Sequence, residues 1–272
     1  MNGTPAFSLN LFRLDGRIAI VTGAGSGLGN VFARSLAAAG ATVISTDINL
    51  SAAEKTTAQI RSAGGKASSL VVDVSNLDSV SDMATKVIQE HSRIDVLVNN
   101  AGIASPAHRV HEMPVADWDR VNAVNTRGVF LCTRAVLPQM MEQQKGSIIN
   151  IASIAGLVGV SNELSAVASN YSATKGAVAA FSKQVAVEYG CDGIRCNAIA
   201  PGWHLGTQLG REALPISETE IAAMVAKLHE LTPVNRTGNP EELAGLLVYL
   251  ASDAASFMTG QIIAHDGGWT AW

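Results

Sequence analysis

Tyr171 and Lys175 stand four residues apart in a segment whose pattern predicts a helix over 171–189, so both side chains leave it from one face. An ammonium beside a phenol lowers the phenol's pKa from about 10 toward the working range, and a tyrosinate so stabilised is a general base. Ser153 follows the β-rich run Ser147 to Ile151, which places it at the carboxyl end of a central strand, where open α/β sheets bind ligands. Its hydroxyl either polarises a carbonyl there or caps a local turn.

A second set of residues is suited to phosphate. Ile18 to Val21 runs into Thr22-Gly23-Ala24-Gly25-Ser26-Gly27-Leu28-Gly29 and then into a helix. Glycines permit a tight turn and let backbone N–H groups and the helix dipole meet a pyrophosphate, with Gly23, Ser26, Gly27, Leu28 and Gly29 as the contacts. The spacing is T-G-x-x-x-G-x-G; a strict G-x-G-x-x-G fails because Leu28 or Asn30 falls on its last position. Asp47 ends the next strand, where a carboxylate either accepts bonds from adenosine ribose hydroxyls or is an ordinary solvated strand-end acid. It would repel a 2′-phosphate, and neither Ser26 nor Ile48 supplies a cation to neutralise one, so NAD is favoured over NADP.

The elements that must hold these groups alternate from Arg17 onward. Short β-rich runs are predicted at 18–22, 42–46, 68–72, 96–99, 147–151, 195–199 and 261–264. Helical patterns at 28–39, 51–63, 77–91, 115–144, 171–189 and 241–252 lie between them. This is the pattern of βαβ units in an α/β, doubly wound parallel sheet. No linker or repeat divides the 272 residues, which are expected to form a single domain. The least regular stretch, about 203–236, carries a weakly apolar helix over 218–231 and is expected to be a substrate lid.

Composition narrows the classes. The net charge of −4 and the absence of a Lys/Arg run argue against nucleic acid. Apolar stretches such as 148–160 are broken by Ser, Asn and Gly before membrane-spanning length, and the first fifteen residues carry no export pattern, so no membrane association is expected. Cys132, Cys191 and Cys196 lack metal-ligand spacing and read as reduced thiols, which points to a cytoplasmic protein without a metal.

Together with Asp73-Val74, Asn99-Asn100-Ala101-Gly102, Asn125 and Pro201-Gly202, in that order, these motifs make the chain resemble the short-chain dehydrogenase/reductase family, of the compact type, over about 14–269. The resemblance implies a Rossmann-like fold and a nicotinamide cofactor. Asp73 and Val74 would contact adenine; Asn100, Ala101 and Gly102 would line the ribose and steady the sheet. Ser153 would orient the substrate oxygen, Lys175 bind the nicotinamide ribose, and Tyr171 exchange the alcohol proton as hydride moves between carbon and nicotinamide. Asn125 would hold a relay water near Lys175, or else cap or kink a long helix. Pro201, Gly202 and backbone near His204 would meet the carboxamide, with the His204 side chain in packing or substrate contact. Family members of this shape are commonly homotetramers, and Trp269 and Trp272 would suit an interface.

Two departures from the family pattern stand out. The segment between Ser153 and Tyr171 is long, and Asn162, Glu163 and Ser165 either border the pocket or bulge into solvent. After Pro201-Gly202 the spacing to Thr207 is one residue longer than usual, which puts Thr207's cofactor contact in doubt. Arg211, Glu212 and His229 in the lid lean toward a polar substrate, such as a polyol, a sugar-like compound or a cyclic alcohol. A 3-oxoacyl-thioester reductase shares the same catalytic set, and a non-catalytic dinucleotide sensor is the alternative from another class. An epimerase or dehydratase would need a larger C-terminal domain.

Overall fold

The computed structural model describes residues 8–160, 164, 168–205 and 217–272. Seven strands form one sheet: β1 Ile18–Thr22, β2 Thr42–Asp47, β3 Lys66–Val71, β4 Val96–Asn99, β5 Gly146–Ile151, β6 Ile194–Pro201 and β7 Ile262–His265. All neighbours are parallel, in the order β3-β2-β1-β4-β5-β6-β7. The chain winds outward from β1 to β3, then returns to lay β4 beside β1, with Ile20 opposite Leu97. At that reversal the connections at the carboxyl ends of β1 and β4 diverge to opposite faces and open a crevice.

The strands are runs of aliphatic residues because helices cover both faces. Alternate β1 residues face opposite cores. Ala19 and Val21 join Phe32, Leu36, Leu247 and Leu250 on one side, while Ile18 and Ile20 join Met83, Val87, Leu137 and Met140 on the other. The outermost strand β3 is the polar one, with Lys66 and Val71 exposed.

The helices are α1 Gly27–Ala38, α2 Leu50–Ser62, α3 Leu77–His91, α4 Val115–Asn122, α5 Gly128–Gln143, α6 Ser169–Tyr189, α7 Glu218–Leu231 and α8 Ala244–Ala251. Asn49 and Asn76 cap α2 and α3, accepting from Ala52 N and Ser79 N. Helix α7 has the expected bounds and starts with a reciprocal capping box between Ser217 and Glu220.

Three expectations need correction. The single helix over 115–144 is divided by a π turn, Ala123–Arg127, where Asn125 turns its amide inward and Gly128 packs so closely on Val74 that a Cβ would lie 2.9 Å from Val74 Cγ2. Strand β3 begins two residues early at Lys66, because pairing with Thr42 in β2 outweighs the weak β propensity of Lys66 and Ala67. The helix over 241–252 opens as a 3-10 turn, Pro240–Leu243, whose proline suits a helix start. Asn162, Glu163, Ser165, Thr207, Arg211 and Glu212 lie outside the described residues.

Candidate active site

The turn after β1 shows why glycine recurs there. Gly23 and Gly27 have φ of 63° and 50°, in the left-handed region that side chains avoid. A Cβ on Gly29 would lie 1.9 Å from Gly23 O, so the helix can approach the turn only without one. Ser26 is the N-cap of α1 but makes no side-chain cap bond, which leaves the helix's first N–H groups to an outside acceptor.

Thr22 ties this turn to β4. Its Oγ1 donates to Val98 O and accepts from Asn100 N and Ala101 N, while Asn100 Nδ2 donates to Thr22 O at 2.9 Å and Gly23 O at 3.1 Å. At the end of β2 the Asp47 carboxylate accepts from Gly25 N and Asn49 N, both at 2.9 Å, which fixes it beside the glycine turn. Ile48 is exposed next to it. Asp73 accepts from the backbone and hydroxyl of Ser75, holding the turn that carries buried Val74.

On the opposite wall, Tyr171 lies in the first turn of α6 and Lys175 one turn later. Lys175 is 4 % exposed and its ammonium donates to Ile151 O at 2.6 Å, 5.6 Å from the centre of the Tyr171 ring. Burial pushes the Tyr171 phenol up to about 12, against a hydrogen bond with Ser153 that lowers it. Burial also draws Lys175 down to about 8. The expectation that the nearby ammonium lowers the phenol's pKa is therefore corrected: burial raises it, and the group that works against burial is Ser153.

Ser153 caps a local turn, one of the two uses the sequence allowed, and also meets the phenol. Its Oγ accepts from Ala155 N at 3.2 Å, capping the 3-10 turn Ile154–Gly156, and it hydrogen-bonds Tyr171. Asn125 is fully buried in the π turn, with Oδ1 accepting from Ile103 N and Nδ2 donating to Ile103 O and Thr174 Oγ1. It stands behind the wall rather than in it. Gly102 separates it from Lys175: a Cβ there would be 3.3 Å from Asn125 Oδ1 and 3.5 Å from Lys175 Nζ.

The third wall follows β6. Gly202 N donates to His265 O, and a Cβ on Gly202 would lie 2.7 Å from Asp266 Cα. His204 is nearly buried, with Nδ1 3.2 Å from Gly202 O and Nε2 3.2 Å from His265 Nδ1. With Nδ1 of His204 donating to that carbonyl, its Nε2 is left to accept from His265.

These groups line one cleft of about 580 Å³. It brings together Gly23, Ser26, Gly27, Leu28, Asp47, Ile48, Asp73, Val74, Asn100, Ala101, Gly102, Ser153, Tyr171, Lys175, Pro201, Gly202 and His204, while Gly29 and Asn125 support it from behind. The sequence reading missed Ile103, Ala104, Pro106, Arg120 and Val124. Val124 and Arg120 share one face with Asn125's helix, and a search at i−1 and i−5 from that asparagine reaches them; the apolar loop 103–106 carries no such signal. Trp269 is half-buried and packs edge-on against Trp203, 5.7 Å between ring centres, whereas Trp272 is exposed. Among the described residues no group of three or more His, Cys, Asp or Glu could hold a metal, and no helix is long and apolar enough to cross a membrane.

A family profile described as enoyl-(acyl carrier protein) reductase matches residues 23–270. A 3-oxoacyl-acyl-carrier-protein reductase of Thermotoga maritima is 39% identical over 256 residues, covering 94% of this chain and 98% of its own. The cis-4-hydroxycyclohexanecarboxylate dehydrogenase of Sinomonas cyclohexanicum is 40% identical over 255 residues, covering 94% and 97%. Among solved structures, a gluconate 5-dehydrogenase from Burkholderia cenocepacia, in complex with NADP and tartrate, superposes with a TM-score of 0.89 at 35% identity, covering 98% of this chain and 100% of that one.

Proposed function

The chain belongs to the short-chain dehydrogenase/reductase family, an oxidoreductase acting on secondary alcohols, and from that premise we propose that it is NAD-dependent and works on a small polar or cyclic hydroxy compound through Tyr171, Ser153 and Lys175. The observation that carries this reading is the convergence of a half-buried Tyr171, hydrogen-bonded to Ser153, with the glycine turn and Asp47 in one cleft.

The cleft's residues fit a dinucleotide. Uncapped N–H groups at the start of α1 suit a pyrophosphate, and Asp47 suits a free ribose 2′-hydroxyl better than a 2′-phosphate. The bound nicotinamide supplies or accepts the hydride. Ser153 orients the substrate oxygen, and Tyr171 gives that oxygen a proton or takes one from it. Lys175 holds a positive charge beneath the phenol and reaches the ribose. Asn125 fixes the loop at Ile103 beside Lys175, next to the relay water we assign to this corner. Asp73, Val74, Asn100, Ala101 and Gly102 bound the adenosine and ribose, and backbone at Pro201, Gly202 and His204 receives the carboxamide.

Residues 1–272 then act as one catalytic domain with a lid at about 203–236. The three free cysteines suit the cytoplasm, and exposed Trp272 suits a homotetramer. The relatives supply the range to test: the Sinomonas enzyme's name specifies a cyclic hydroxy acid, and gluconate is a sugar acid. A second reading, reduction of 3-oxoacyl thioesters, is favoured by the Thermotoga relative.

The test is NADH formation at 340 nm by wild type and Tyr171→Phe across polyols, sugar acids, cyclic alcohols and 3-hydroxyacyl thioesters, with NAD and NADP in parallel. Turnover with NAD that disappears in Tyr171→Phe supports the proposal. Preference for thioesters favours the second reading, preference for NADP overturns the role of Asp47, and NAD binding without turnover favours a sensor.

A further inference from the structure

The helix that carries Tyr171 starts only two residues before it, and its first turn lacks ordinary capping. Ala168, the N-cap, makes no side-chain bond to the helix, and Ser169 Oγ is buried without a hydrogen-bond partner. Helix ends fray, so a phenol at such a position needs another anchor to stay within tenths of an ångström of Ser153.

Asn170 supplies one. It is fully buried, and its Oδ1 accepts from Tyr171 N at 2.7 Å. Its Nδ2 donates to Ser105 Oγ at 2.9 Å and to Asp117 O at 3.3 Å. Ser105 Oγ lies 3.2 Å from both Pro106 O and Asn170 Oδ1, and is itself 4 % exposed. The amide can face only one way, because Tyr171 N requires an acceptor and Asp117 O a donor. One side chain thus joins the start of α6, the loop after β4 that brings Pro106 to the cleft, and the turn of α4 that brings Arg120.

We propose that Asn170 is a positioning residue for the reaction: it fixes Tyr171 against the loop at Ser105 and the α4 backbone, so that the phenol meets the substrate oxygen held by Ser153. This rests on the dehydrogenase reading. Asn170 touches no reacting atom; its effect passes through the place of Tyr171. Displacing a proton donor by about 1 Å costs up to roughly a hundredfold in rate, whereas the glycine turn and Asp47 lie on the other wall and keep their geometry.

The experiment compares wild type, Tyr171→Phe, Asn170→Ala, Asn170→Asp and Ser105→Ala on the best secondary alcohol, measuring kcat, the isotope effect with carbon-deuterated substrate, NAD affinity by titration calorimetry, and Tm. For Asn170→Ala we expect kcat to fall roughly 10- to 100-fold, the isotope effect on kcat to rise as chemistry becomes limiting, and NAD affinity to stay within about threefold. Asn170→Asp keeps the acceptor for Tyr171 N and is expected to fall between it and wild type. Ser105→Ala removes one strand of the tie at little risk to folding and is expected to lose about three- to tenfold in kcat, again with a raised isotope effect. Should neither Asn170 variant fold, Ser105→Ala decides: an unchanged kcat and isotope effect overturns the proposal. It is also overturned if folded Asn170→Ala keeps kcat within about twofold, or loses kcat and NAD affinity together with Tm, the mark of a structural role alone. A wild type without turnover overturns the dehydrogenase reading and this inference with it, an outcome distinct from active wild type, inactive Tyr171→Phe and unaffected Asn170→Ala.

Discussion

Burial, more than proximity of charge, sets the protonation of the two central residues. With its phenol at about 12, Tyr171 carries its proton at neutral pH and is ready to act as an acid toward a ketone; to accept a proton from an alcohol it must first give one up. Alcohol oxidation is therefore expected to accelerate from about pH 7 to 10, and ketone reduction to stay level over that range before declining, as kcat/KM profiles in both directions would show. Lys175 offers a test of stability. Its pKa is 10.5 when free and about 8 in the fold, so at pH 7 both folded and unfolded chains hold the proton and the burial penalty is fully present, about 3 kcal/mol. Between about 8 and 10.5 the folded state sheds the proton first, and stability rises with pH. Lys175→Met removes that penalty but leaves Ile151 O without its donor, a loss of about 1–3 kcal/mol. We expect the ligand-free variant to melt a few degrees above wild type at pH 7 by scanning calorimetry, with the gap closing toward pH 10, and to be inactive. A lower Tm at pH 7 would mean that the bond to Ile151 outweighs desolvation.

At the level of elements, the sequence revealed what repeats and hid what depends on contact. Most strand positions and the helix over 218–231 followed from composition and period, because a buried parallel strand has to be aliphatic and an amphipathic helix has to show its stripe. The π turn at Ala123–Arg127 was not legible: it needs Asn125 turned inward on Ile103 and Gly128 pressed onto Val74, both contacts between residues distant in sequence. Asn170 was likewise invisible, since its importance lies in partners on other elements, whereas Tyr171 and Lys175 announced themselves through spacing and Ser153 through its place after a strand. The glycine turn was legible for a steric reason that can be tested. Gly29→Ala places a methyl 1.9 Å from Gly23 O, a backbone atom that cannot move without opening the turn. The expected result is loss of NAD binding by at least about a hundredfold in titration calorimetry, with a lower Tm, because β1 and α1 must separate. Near-native NAD affinity would place the cofactor elsewhere.

For the whole molecule, the doubly wound order makes ligand binding and fold stability one problem. The cleft is assembled from the carboxyl ends of β1 to β6 and from the start of α1 and α6, so a ligand lying along it touches elements from both halves of the sheet. A dinucleotide that binds only the folded chain adds RT ln(1 + [L]/Kd), about 2.7 kcal/mol at a hundredfold excess over Kd. For a chain of this size that corresponds to a Tm increase of about 5–10 °C. The increase should follow Asp47. Its carboxylate is fastened by Gly25 N and Asn49 N and cannot swing away from a 2′-phosphate without giving up both bonds. We therefore expect differential scanning fluorimetry to show a large shift with NAD and a small one with NADP at equal concentration, and Asp47→Asn, which keeps the shape and drops the charge, to narrow the difference. Equal shifts for the two nucleotides in wild type would mean that the ribose lies clear of Asp47, and that the bonds to Gly25 and Asn49 serve the turn alone.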